Sequence, residues 1–121
     1  LYPHIHLLEG SVFVSTEASP FCITAALLPE EEICVRSGQM LVENGRVEVN
    51  VWCLEGGCEI MREGEWVNII SPLTRSTYLS RKGFAEMRSN TQIFPNLVDD
   101  LNPFNLECDS CMDVQALYPP N

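Results

Sequence analysis

The fold is predicted from residues 33–70, which read ICVRSGQMLVENGRVEVNVWCLEGGCEIMREGEWVNII. Apolar and polar residues alternate along most of this stretch, and the alternation is interrupted at Asn44-Gly45, Gly56-Gly57 and Glu63-Gly64. A period of two is typical of strands with one buried face, and such dipeptides are typical of tight turns. We therefore interpret 33–70 as an antiparallel β-meander with three successive turns.

The Asn44-Gly45 turn is the most specific of these signals. Asn-Gly tolerates the positive φ angles of a type I′ turn, and a two-residue loop places Val42 opposite Val47. A slip of one residue would turn the apolar set toward solvent, so burial favours this register. The predicted buried face of the hairpin consists of Met40, Val42, Val47, Val49 and Val51.

The other two turns fix the remaining strands of the meander. A two-residue turn at Gly56-Gly57 sets Cys53 diagonal to Cys58, whereas a four-residue loop over 54–57 sets them directly opposite and permits a disulfide. Both registers leave the two cysteines on the buried face. The Glu63-Gly64 turn places Arg62 opposite Glu65 and Met61 opposite Trp66.

An apolar group is predicted on the otherwise polar face of the meander, where Trp52, Met61 and Trp66 lie on three neighbouring strands. Tryptophan and methionine are favoured at the centres of protein interfaces, so we predict these three residues as the anchors of a partner-binding patch. The alternative is a second core layer that another part of the chain covers.

The first segment predicts a hairpin in which His4–Leu8 pairs with Ser11–Ser15 around Glu9-Gly10. Ile5 and Leu7 then point to the buried side, and His4 and His6 to the other side. Two histidines at positions i and i+2 of a strand can present both imidazoles to one metal ion. No acidic or thiol ligand has the spacing to complete such a site, so we predict no metal there.

Outside the meander the patterns are weaker. Residues 21–28 form an apolar run that predicts a buried strand, and Glu30–Glu32 predict a solvated acidic loop. Residues 77–80 and 84–88 predict a hairpin, with a short helix as the alternative. Residues 104–108 predict a last strand, residues 1–115 a single β-rich domain, and residues 116–121 an extended C-terminal tail.

Length, composition and charge limit the possible classes of protein. The chain has 121 residues, 45% of them hydrophobic, and a formal net charge of −10. Such a charge repels phosphate backbones and favours basic partners, so we expect no nucleic-acid binding. No run approaches the roughly 18 apolar residues of a membrane span, and we expect no membrane insertion. The predicted fold is an all-β, antiparallel two-sheet sandwich or partly closed barrel.

Six cysteines allow two interpretations. An even number in a small β-rich chain predicts a disulfide-reinforced, secreted or extracellular protein. The alternative is a structural zinc ion held by four thiolates, from the pairs Cys53–Cys58 and Cys108–Cys111.

No recognised catalytic motif occurs in the sequence, and we predict that the protein is not an enzyme and has no catalytic residues. The leading hypothesis is a secreted or surface-exposed recognition module that binds a protein partner through one sheet face and needs no cofactor. The alternative is a zinc-stabilised intracellular or virion structural domain whose activity is assembly.

Overall fold

The computed structural model describes residues 4–93 and 111–113, and these residues are all-β. The strands are β1 (His4–Leu7), β2 (Gly10–Thr16), β3 (Phe21–Ala25), β4 (Glu32–Val35), β5 (Gly38–Asn44), β6 (Glu48–Glu55), β7 (Cys58–Arg62), β8 (Glu65–Ile70), β9 (Thr74–Arg81), β10 (Phe84–Gln92) and β11 (Cys111–Asp113). Within the described ranges no helix is long and apolar enough to cross a membrane.

The strands form two open sheets with a shared core. Sheet A has the order β1-β3-β4-β7-β8, and sheet B has the order β10-β9-β6-β5-β2-β11. Neighbouring strands are antiparallel except for two parallel pairs, β1 with β3 and β11 with β2. The prediction of an all-β, two-sheet fold with disulfides is confirmed, and the described strands do not close into a barrel.

The core between the sheets is aliphatic, as the alternation predicts. Sheet B contributes Val12, Val14, Met40, Val42, Val49 and Val51, and sheet A contributes Ile23, Ile33, Ile60 and Ile70, each at most 1% exposed. Burying one such side chain contributes roughly 1.5–3 kcal/mol. This contribution favours the inward orientation of these side chains in both sheets.

The prediction of a single meander over 33–70 is wrong at its middle turn. Strands β5 and β6 pair in sheet B, whereas β7 and β8 pair in sheet A, so the chain crosses between the sheets after β6. The connection from β4 to β5 also passes from one sheet to the other, and it lies beside the β6–β7 connection. A Cβ on Gly56 would lie 1.9 Å from the Ser37 carbonyl oxygen, and a Cβ on Gly38 would lie 1.9 Å from that of Glu55. Two glycines therefore allow the two backbones to run in contact.

Strands β5 and β6 form the predicted hairpin, but the predicted two-residue turn is wrong, because neither Asn44 nor Gly45 has a positive φ and the register is displaced by four residues. Val42 pairs with Val51 rather than Val47, and Val47 lies in the loop with 71% of its surface exposed. The Asn44 side chain explains the difference, because its amide donates to the Leu8 carbonyl and its oxygen accepts from the Leu27 amide. Asn44 therefore ends β5. A shift by an even number leaves Met40, Val42, Val49 and Val51 facing the core.

Two further predicted hairpins, β7–β8 and β9–β10, are present. Arg62 pairs with Glu65 and Met61 with Trp66 around Glu63-Gly64, as predicted, and both turn residues have positive φ. Strands β9 and β10 form the predicted hairpin, turning at Lys82-Gly83.

The predicted hairpin between His4–Leu8 and Ser11–Ser15 is wrong. Strand β1 pairs in parallel with β3 in sheet A, and β2 pairs with β5 in sheet B. The Leu8–Gly10 segment is thus another crossing between sheets. Leu7 nevertheless faces the shared core and Ile5 packs against it, because both sheets turn the same alternating set inward.

Two disulfides reinforce the sandwich. Cys22 and Cys34 are opposite each other on β3 and β4, and their bond lies within sheet A. Cys53 of β6 is bonded to Cys58 of β7, which ties sheet B to sheet A at the crossing. The predicted strand at 104–108, the predicted tail at 116–121 and Cys108 lie outside the described residues.

The acidic loop is solvated only in part. Glu30 and Glu32 keep access to solvent, but Glu31 is buried at the end of the sandwich. Its carboxylate accepts hydrogen bonds from the Ala85 amide in sheet B and from Arg62 Nη2 in sheet A. Burial raises the pKa of the Tyr78 phenol, the Ser76 side chain lowers it in part, and the charge of Glu31 raises it further. The phenol oxygen makes no hydrogen bond of good geometry to the described residues.

Candidate functional site

The predicted Trp52–Met61–Trp66 patch does not form as one surface. Trp52 lies on β6 in sheet B, whereas Met61 and Trp66 lie on β7 and β8 in sheet A. The crossing after β6 separates them, because it places the two hairpins on opposite sides of the core.

Trp52 belongs to a packed cluster on the face of sheet B that points away from sheet A. Phe13, Leu41 and Trp52 are consecutive cross-strand neighbours on β2, β5 and β6. Trp52 packs against a buried group made of Phe13, Leu41, Leu54 and Ile93. The Arg75 guanidinium lies 5.0 Å from the centroid of its ring. Trp52 is therefore held in place by its own chain.

A polar network beside Trp52 joins three strands of sheet B on this face. The Asn50 side-chain oxygen accepts from Thr77 Oγ1 at 2.6 Å and from Arg75 Nη2 at 3.4 Å. The Asn50 amide donates to Glu43 Oε1 at 3.0 Å. Asn50 and Thr77 are buried, and their bonds to each other offset the cost of that burial.

Strand β8 of sheet A carries three of the exposed large apolar residues of the described chain. Trp66 and Ile69 of β8 are 59% and 63% exposed. Asn68 pairs with Ile60 and Trp66 with Met61, so Val67 has no partner in the register and forms a bulge. Because of this extra residue, Trp66 and Ile69 point to the same side even though they are three residues apart.

The Arg36–Glu59 ion pair lies beside the Trp66 ring. Arg36 Nε donates to Glu59 Oε1 at 2.9 Å, and the Arg36 guanidinium carbon lies 5.5 Å from the centroid of the Trp66 ring. Glu59 pairs directly with Ile69 across β7 and β8. One side of the indole thus contacts the Arg36 guanidinium, while most of the indole surface stays accessible. Such a cation–π contact contributes about 0.5–1 kcal/mol at an exposed site.

Strand β8 also forms one edge of sheet A, and no described strand pairs with its outer side. Edge strands in natural proteins are commonly protected by lysine, proline or a covering segment. The β8 sequence, EWVNII, contains neither lysine nor proline. Its protection consists of Glu65 and the bulge at Val67. An apolar edge of this kind can accept an additional strand.

The other end of the same face carries the two histidines. A cross-strand row runs through Ile69, Glu59, Cys34, Cys22 and His4. The His4 and His6 rings are 4.9 Å apart between centroids. His4 Nε2 lies 2.6 Å from Thr24 Oγ1 and 3.9 Å from Glu32 Oε2. Glu32 was not predicted beside the histidines, because the parallel pairing of β1 with β3 leaves no local sequence signal.

The four-thiolate zinc alternative has two of its four ligands, Cys53 and Cys58, among the residues whose side chains the structure describes. Cys53 and Cys58 are bonded to each other and cannot act as thiolate ligands. Cys108 lies outside the described residues, and only the strand position of Cys111 is described. The sulfurs of Cys22 and Cys34 lie within 4.8 Å of a Glu32 carboxylate oxygen, but they are likewise joined in a disulfide.

Comparisons of this chain with family models, with curated proteins and with solved structures found no match.

Proposed function

We propose that this chain is an extracellular recognition domain that binds a basic segment of a protein partner at the exposed β8 edge of sheet A. The observation that carries the proposal is the apolar edge strand β8, whose Trp66, Val67 and Ile69 are all exposed. Met61, opposite Trp66, extends the patch inward. The partner segment adds to β8 as a strand, with backbone hydrogen bonds for affinity and side-chain contacts for specificity.

The distribution of exposed apolar residues supports this location. Leu8, Val47 and Met87 are also exposed, but Leu8 and Val47 each stand alone in a connection between strands, and Met87 is the single exposed large apolar residue of β10. Single exposed apolar residues are normal on protein surfaces, whereas a contiguous group marks an interaction site. Three such residues within four positions of one edge strand form the contiguous group.

Charge supports a basic partner rather than a second copy of the chain. The protein carries 17 acidic and 7 basic residues. Glu63 and Glu65 lie at the start of the exposed edge, and Glu32 pairs with Met61 beside the apolar patch. Two copies would bring like charges together, whereas a segment rich in lysine and arginine is attracted to this edge.

Disulfides support the extracellular assignment. Bonds such as Cys22–Cys34 and Cys53–Cys58 persist in oxidising compartments and are rare in reducing ones. They also count against the alternative of an intracellular zinc-stabilised assembly domain, because two of its four ligands are oxidised.

Selection of displayed peptides on the immobilised full chain tests the proposal. We expect the selected peptides to alternate apolar and basic residues. The Val67→Lys variant should bind them at least about tenfold more weakly, since lysine protects an edge and repels a basic strand. Val47→Lys is the matched control, with the same substitution at an exposed site away from β8, and it should bind like the wild type.

Two results would contradict the proposal. One is the selection of acidic peptides, and the other is equal weakening by Val67→Lys and Val47→Lys. Circular dichroism of each variant separates lost binding from lost folding, because both substitutions lie at solvent-exposed positions.

A further inference from the structure

We propose that His4, His6 and Glu32 form a binding site for a divalent transition-metal ion of the Zn²⁺ type. This inference does not depend on the proposed partner binding. It rests on the placement of three potential ligands, on β1 and β4, at the end of the outer face of sheet A opposite to β8.

Strand geometry places the two imidazoles side by side. His4 and His6 are two residues apart on β1 and therefore point to the same side of sheet A. Their ring centroids are 4.9 Å apart and their planes are inclined by 42°. Rotation of the side chains can bring one nitrogen of each ring to the separation of about 3.3 Å that metal–nitrogen bonds of about 2.0–2.1 Å require at a tetrahedral centre.

Glu32 supplies the third ligand. Its Oε2 lies 3.9 Å from His4 Nε2, within about 0.6 Å of the spacing that two ligands of a tetrahedral zinc ion show. Thr24 Oγ1 lies 2.6 Å from the same nitrogen. An ion bound at Nε2 would replace this hydrogen bond, because one ring nitrogen cannot serve both Thr24 and the ion. The side chains of His4 and Glu32 are 32% and 39% exposed, so an ion can reach both.

The ligand chemistry selects the class of metal. Two imidazoles and one carboxylate suit zinc, copper or nickel, whereas calcium and magnesium prefer sites made of oxygen alone. The nearby sulfurs of Cys22 and Cys34 are bonded to each other and add no thiolate. Three protein ligands leave a fourth position for water. The net charge of −10 raises the local concentration of cations around the site.

Metal binding would join two strands that are not neighbours. Strand β1 is an edge strand of sheet A that pairs only with β3 among the described strands, and Glu32 lies beyond β3 on β4. An ion held by both strands binds the folded state alone, so it should stabilise the protein against unfolding.

Calorimetric titration of the full chain with ZnCl₂ tests the site. We expect one ion per chain, with affinity reduced at least about tenfold in each of His4→Ala, His6→Ala and Glu32→Gln, because even the loss of a supporting contact costs that much at metal sites. Glu30→Gln, at an exposed carboxylate of the same loop, is the matched control and should bind like the wild type. Titration with CaCl₂ should give no comparable binding.

Imidazole signals in nuclear magnetic resonance spectra provide a second measurement, since the chain has only two histidines. Zn²⁺ should shift both sets of signals together. The Cys108→Ser/Cys111→Ser variant should retain binding. The proposal is overturned if both imidazoles are unaffected by Zn²⁺, if His6→Ala binds like the wild type, or if the cysteine variant abolishes binding.

Discussion

The two tryptophans lie on opposite surfaces of the sandwich and differ in what surrounds them. Trp52 packs on Phe13, Leu41, Leu54 and Ile93 in sheet B, whereas Trp66 rests on Arg36 with most of its surface exposed. The same residue type therefore contributes stability at one site and accessible surface at the other.

This difference predicts unequal effects of one substitution. Trp52→Ser should lower the free energy of unfolding by roughly 2–4 kcal/mol, because it removes a ring packed in a cluster. Trp66→Ser should lower it by less than about 1 kcal/mol, because it removes mainly a cation–π contact. Urea denaturation followed by circular dichroism measures both values, and equal losses would contradict the assignment of Trp52 to a packed cluster.

The acidic loop allows a second comparison between neighbouring residues. Glu31→Ala should destabilise the protein by roughly 1–3 kcal/mol, because the Ala85 amide loses its buried acceptor and Arg62 loses its partner. Glu30→Ala, at an exposed carboxylate, should change stability by less than about 0.5 kcal/mol. Thermal unfolding of the two variants side by side provides the measurement. A Glu30→Ala loss as large as that of Glu31→Ala would show that Glu31 has no special role.

At the scale of elements, the crossing between β6 and β7 determines which residues share a surface. It depends on Gly56, which has φ of +74° and no room for a Cβ against the Ser37 carbonyl. A Cβ on the adjacent Gly57 would point into open space, with nothing within 4 Å, and the φ angle of Gly57 is not positive. Two neighbouring glycines thus face different constraints within one connection.

We expect Gly56→Ala to destabilise the protein by at least about 3 kcal/mol, through both the left-handed backbone and the steric conflict. Gly57→Ala should be neutral within about 1 kcal/mol, since alanine at an open position mainly restricts the unfolded chain. The midpoints of urea unfolding compare the two. If Gly57→Ala is the more damaging variant, the backbone contact between the two crossings is not as described.

The same crossing explains what the sequence could predict. The Glu63-Gly64 and β9–β10 hairpins follow from local turn chemistry, and the inward set from Met40 to Val51 follows from alternation, which survives a shift of four residues. A Gly-Gly connection has the same local signal whether it returns to its own sheet or passes to the other. The separation of Trp52 from Trp66 could therefore not be predicted from the sequence.

In the candidate site, too, only the contacts set by local turns could be predicted from the sequence. The pairing of Met61 with Trp66 was predictable because two residues separate their strands. The proximity of His4 to Glu32 depends on a parallel pairing between β1 and β3, whose register no turn determines. Exposure of β8 depends on which strand lies at the edge of the sheet, and this order is a property of the whole topology.

At the scale of the molecule, the outer faces of the two sheets differ in composition and exposure. Sheet B has a buried apolar cluster and a bonded polar row on the face away from the core. Sheet A instead has exposed apolar residues at one edge and exposed imidazoles at the other, above a buried disulfide. The exposed apolar group of β8 and both histidines therefore lie on sheet A, while the disulfide at the crossing holds that sheet to sheet B.

The two disulfides should stabilise the sandwich to different extents. They close segments with sequence separations of 12 and 5, for which loop entropy gives about 3 kcal/mol for Cys22–Cys34 and about 2 kcal/mol for Cys53–Cys58. Double replacement of each pair by alanine should lower the free energy of unfolding by at least these amounts. Cys53–Cys58 should exceed its loop value, because it also joins the two sheets in the core. Calorimetric unfolding measures the losses, and intact mass should rise by at least about four units when the unfolded wild type is reduced. A constant mass, or a loss below about 1 kcal/mol for both pairs, would contradict a disulfide-reinforced sandwich.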